Sequence, residues 1–139
     1  MKNFLSKNSE IGILVLRLGL GTAFLFVHGW EKIMQGPEMW AKIGTSMSNL
    51  GITQIPMFWG FMASAAEFGG GILLILGLFT RYASSFLAFT MVVAAIQHLS
   101  KLDPWNRIIY PIEMLSVMIL LIFIGAGKYS LDNLLFKKK

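Results

Sequence analysis

Apolar residues fill four long runs of this chain, about Ile11 to Met34, Met57 to Phe79, Tyr82 to Leu99 and Ile108 to Ala126. Polar residues gather in the joints between the runs and at both ends. Each run reaches the roughly 18 to 25 residues that a helix rising about 1.5 Å per residue needs to cross some 30 Å of hydrocarbon. Period-two alternation is missing, and four strands could not close a barrel, so the runs predict helices. The expected fold class is all-α, an integral membrane four-helix bundle. Residues 1–139 are expected to form a single domain, because no linker rich in Ser, Pro or Gly divides them. The first run follows a short basic region, as the core of a secretory leader would. It is long, holds Arg17 and lacks a following Ala-x-Ala site, so it is read as a retained first helix.

The joints are unequal. Arg81 sits in a turn of only a few residues, which forces the second and third helices into an antiparallel hairpin. The first joint, GPEMWAKIGTSMSNLGITQIP, is much longer, and its Met39, Ile43 and Met47 fall at helical spacing. That pattern predicts a short amphipathic helix in the first outer loop, anchored by Trp40 at headgroup depth.

Composition agrees with the pattern: 55% of the 139 residues are hydrophobic and 14% charged. The net charge of +5 adds orientation. Lys2, Lys7, Arg81, Lys128 and Lys137 to Lys139 fall on the side of the termini, against Lys32, Lys42, Lys101 and Arg107 on the other. The cytoplasmic bias of lysine and arginine then places both termini in the cytoplasm. These cations are scattered across loops, which excludes nucleic acid as a partner, and the terminal lysine triplet is read as a solvated tail. With no cysteine, the chain by itself has no thiol relay, thiolate metal site or iron–sulfur cluster.

Five ionisable residues fall within the runs: Arg17, His28, Glu67, His98 and Glu113. Such groups are costly in a bilayer and usually face the bundle interior. If His28 marks the outer end of the first helix and Pro56 that of the second, Arg17 and Glu67 each lie about 16 Å deep. A structural ion pair between Arg17 and Glu67 is therefore expected. Glu67 shares its face with Gly60, Ala63, Ser64, Gly70 and Gly71, small residues of the kind that let membrane helices pack closely. His28, His98 and Glu113 lie nearer the outer surface, where they are expected to line a polar cavity roofed by Trp30, Trp59 and Trp105. Together with Glu67 they are the ligand-binding or proton-handling candidates. The plainer alternatives are that Arg17 snorkels to the headgroups and that both histidines serve as helix-end contacts.

No metal site is expected from the carboxylates, since neither Glu67 nor Glu113 has a histidine three residues on. A haem held between His28 and His98 is the metal-bearing alternative that geometry leaves open. Phosphate loops, nucleophile elbows and dinucleotide fingerprints are missing, and GLG and GGG sit inside helices.

Taken in order, RLGLGTAFLFVHGWEK, EFGGGILLILGLFTR, QHL, the glutamate of YPIEML, and GAGKYSLD resemble the DoxX family of small four-helix bacterial membrane proteins, over nearly the whole chain. The resemblance implies an association with membrane oxidoreductases, including relatives that form a subunit of a thiosulfate to quinone oxidoreductase. It also implies links with oxidative stress and thiol homeostasis, while eukaryotic relatives act in receptor assembly or cargo handling. The expected function is an accessory or quinone-binding subunit of an oxidoreductase system, with no intrinsic cofactor and a membrane quinone as ligand. The alternative is a non-enzymatic scaffold or assembly factor for a membrane partner. A transporter is a third possibility that four helices could fulfil only as an oligomer. The bilayer, a redox partner protein and further copies of the chain are the expected contacts.

Overall fold

The computed structural model describes the backbone of residues 2–136 and the side chains from Asn8 to Phe136. The terminal lysine tail, Lys137 to Lys139, lies outside the described residues. Helix α1 (Lys2–Thr22) runs into a π-helical segment (Ala23–Gly29) and then α2 (Trp30–Met34), so that residues Asn8–Met34 form one apolar rod. Helix α3 (Pro37–Gly44) and a 3₁₀ segment (Thr45–Leu50) follow. Three further spans are α4 (Pro56–Leu76), α5 (Thr80–Ser100) and α6 (Trp105–Ile124), before a short α7 (Leu131–Phe136). Each of the four rods is long and apolar enough to cross a membrane, and no strand occurs among the described residues. The chain is an all-α membrane protein.

Chain chemistry sets the helix ends. Pro56 opens α4 with its fixed φ and missing N–H. Gly77, in the left-handed region at φ 64, closes the helix with bonds to the carbonyls of Leu73 and Leu74. Asp132 reaches back to cap α5, accepting from the Phe79 N–H at 2.7 Å and the Thr80 N–H at 3.0 Å. Gly125, at φ 75, ends α6 just short of the expected Ala126.

Helix α4 is the centre of the arrangement, packed against α1, α3 and α5, while α5 packs on α6. The core is apolar: Phe24, Leu74, Leu87, Met118 and Leu121 are each at most 1% exposed. Glycines make the closest crossings. A Cβ on Gly21 would lie 2.7 Å from the Gly71 carbonyl oxygen, and one on Gly60 would overlap the Trp40 carbonyl. Helix α3 therefore lies directly on α4. Trp40 packs on Phe61 at a ring separation of 4.9 Å and donates its indole N–H to the Lys32 carbonyl at 3.0 Å.

Candidate functional site

The π-helical segment widens the turn just where α1 passes Glu67, and such segments are frequent at functional sites. There Gly29 rests on the α4 backbone, where a Cβ would come within 2.5 Å of Phe68 Cα. That contact brings Lys32, one turn beyond His28, down to the Glu67 carboxylate. Lys32 Nζ and Glu67 Oε2 are 2.5 Å apart, with the carboxylate buried and the lysine a third exposed. His28 lies within electrostatic reach of both. Its Nε2 shares a 2.6 Å hydrogen bond with the Tyr110 hydroxyl of α6, closing the seam between the first and last spans. The cluster Lys32–Glu67–His28–Tyr110 is thus drawn from three of the four spans.

Beside this cluster is a cavity of about 570 Å³ between α4 and α5, roofed by Ile43, Gly44 and Met47. Its walls are almost entirely apolar, including Trp59, Met62, Phe86, Phe89 and Val93, and Lys32 and Glu67 supply its charge. Phe86 and Phe89 are exposed on the outer surface of the bundle, so the cavity opens sideways at the level of the hydrocarbon. An opening of this kind admits apolar molecules from the lipid, and the pair offers them one donor and one acceptor.

The expected Arg17–Glu67 ion pair is not formed. Arg17 is fully buried, but its Nη1 donates to the Leu74 carbonyl at 3.3 Å and its Nη2 to the Tyr129 carbonyl, while Nε has no acceptor. The error lay in the origin of the depth count. The first span runs on past His28 to Met34, so Arg17 lies further from that end of the bundle than assumed. It meets the end of α4, and Lys32 takes its place at Glu67. Snorkelling is not observed either, since the guanidinium is inside the protein.

The expected cavity formed by His28, His98 and Glu113 is not assembled. His98 Nδ1 is 2.7 Å from Asp103 Oδ2, in the α5–α6 connection. That bond holds the Asp103 carboxyl below its ordinary range, with Arg107 and Lys101 adding to the effect. Glu113 is exposed on α6, with no hydrogen bond or ion pair among the described residues. No group of three or more metal-ligating side chains occurs among the described residues, and His28 and His98 bond to separate partners, Tyr110 and Asp103. Sequence reasoning missed Lys32 and Tyr110. The signals were present: Lys32 follows His28 by four residues, and Tyr110 precedes Glu113 by three, so each shares a helix face with a residue already singled out.

The family model for DoxX matches residues 12–99. The chain belongs to the DoxX family. It is 33% identical over 135 residues to the Bacillus subtilis protein named "Putative oxidoreductase CatD", covering 97% of this chain and 95% of that one. It is also 30% identical over 138 residues to the Escherichia coli inner membrane protein YqjF, covering 96% and 99% respectively. No solved structure matches. The matched segment contains Lys32, Glu67 and the cavity walls but ends before Tyr110 and Glu113.

Proposed function

We propose that this DoxX protein is an accessory, quinone-binding subunit of an oxidoreductase system in the cytoplasmic membrane, linked to redox homeostasis, with both termini on the cytoplasmic side. The observation that carries the proposal is the sideways-open apolar cavity that ends on Lys32 and Glu67. A membrane quinone matches it in kind: an apolar ring and tail that travel in lipid, with two carbonyl oxygens that need a donor when bound. The Lys32 ammonium donates to a carbonyl oxygen, and once two electrons and two protons have converted the quinone to its hydroquinone the Glu67 carboxylate accepts a hydrogen bond from the new hydroxyl. His28 and Tyr110, behind Glu67, hold that end of the site in place and are the next groups through which protons can reach the ring as it takes up electrons. The electrons come from a partner oxidoreductase, because this chain has neither cysteine nor a dinucleotide motif.

This assignment replaces the earlier candidates His98 and Glu113 with Lys32 while keeping His28 and Glu67. The relative named as an oxidoreductase supports the redox setting, and the one named as an inner membrane protein supports the location. The test is extraction in mild detergent, chromatographic assay of co-purifying quinone, and titration with a short-chain ubiquinone. Binding that weakens about tenfold or more in Glu67→Gln and Lys32→Met supports the site. Unchanged binding in both variants, or none in the native protein, overturns it in favour of the scaffold alternative.

A further inference from the structure

A second recess, of about 540 Å³, opens at the opposite end of the bundle, where the α4–α5 turn, the end of α6 and α7 meet. Two charged side chains line it, Arg81 and Asp132. The Arg81 guanidinium has five N–H donors and uses one, a 3.3 Å bond from Nη2 to the Phe123 carbonyl. It stands in the first turn of α5, where the helix dipole disfavours a cation unless an anion is near. Asp132, which caps α5 through two N–H groups, keeps lone pairs free on both oxygens. Aromatic rings form the rim: Phe79 lies 5.6 Å from Phe136 and 6.3 Å from Tyr82 between ring centres. Tyrosine is enriched at the boundary between headgroups and hydrocarbon, and it is here that three spans end.

We infer that this recess is a headgroup site for an amine-bearing phospholipid, with the phosphate on Arg81 and the ammonium turned toward Asp132. A guanidinium with free donors takes phosphate oxygens in pairs. A lone carboxylate in the same recess repels a purely anionic headgroup and attracts a zwitterionic one. Phe123 on α6 is 76% exposed on the bundle flank, where acyl chains leaving the recess would lie. The proposal is independent of the quinone site, because the two cavities share no lining residue.

The full chain in detergent is examined by native mass spectrometry after addition of phosphatidylethanolamine, phosphatidylglycerol or free phosphoethanolamine, with Arg81→Gln and Asp132→Asn variants. Ethanolamine lipid is expected to be retained over glycerol lipid, with occupancy falling about tenfold in Arg81→Gln and the preference disappearing in Asp132→Asn. Equal retention by the native protein and Arg81→Gln overturns the site. Preference for the glycerol lipid overturns the role of Asp132, and binding of free phosphoethanolamine as tight as that of the lipid overturns a lipid occupant. If Asp132→Asn fails to fold for want of its helix cap, the Arg81→Gln comparison and the lipid preference of the native protein decide.

Discussion

Removing Lys32 leaves the Glu67 carboxylate, 4% exposed, against the α4 backbone without its ion-pair partner. Lys32→Met should therefore cost about 2 to 3 kcal/mol of stability. Joint replacement with Glu67→Gln should recover most of the loss, and a double-mutant cycle on unfolding in detergent checks this. Strict additivity would mean that the two side chains act separately. Arg17 makes a different prediction, because its partners are carbonyls. Arg17→Lys keeps the charge but cannot span both the Leu74 and Tyr129 oxygens, so it should destabilise almost as much as Arg17→Met. At the loop between α5 and α6 the variable is pH. The Asp103 carboxyl is depressed by its bond to His98, so its contribution is present above the ordinary carboxylate range and lost as pH falls below about 4. The protection of the amides of residues 101–103 against exchange, relative to their intrinsic rates, should fall in acid, and Asp103→Asn should remove that dependence.

At the scale of elements, the closest approach is that of α3 to α4, where Gly44 and Gly60 leave no room for a Cβ. Gly60→Ala should force α3 off α4 at a cost of about 2 kcal/mol or more, while Gly12→Ala, with nothing within 4 Å, should be neutral or mildly stabilising. Thermal unfolding followed by circular dichroism separates the two outcomes. The four spans could be read from the sequence because a bilayer demands about 20 apolar residues per helix, and the amphipathic first joint was visible from Met39, Ile43 and Met47. Depth was harder to read. The π-helical segment has no marker in hydrophobicity, and counting depth from His28, although the apolar run itself extends to Met34, gave Glu67 the wrong cation. The His98–Asp103 contact was hidden for another reason: it forms across a loop, where spacing along a helix carries no information. Arg17 was placed inside correctly, but a guanidinium satisfied by helix-end carbonyls has no sequence signature.

Across the whole molecule, the interior is held together by small residues and filled side chains, whereas the cavity between α4 and α5 is left open. Two accounts of that opening differ: it is a ligand site, or it is slack between two helices that gains by being filled. Gly69 distinguishes them. It lines the cavity, yet a Cβ placed on it meets nothing within 4 Å. Gly69→Leu should therefore extend a side chain into the opening without moving α4. In a helix interior leucine is also favoured over glycine by about 0.8 kcal/mol. The variant should fold with a melting temperature at or slightly above that of the parent, and lose quinone binding by steric exclusion alone, with Lys32 and Glu67 intact. A stabilised protein that still binds quinone would place the ligand elsewhere, whereas a destabilised one would show that the helices need the space between them. Since the substitution touches neither charge, lost affinity could not be ascribed to electrostatics, which the Glu67→Gln test alone cannot exclude.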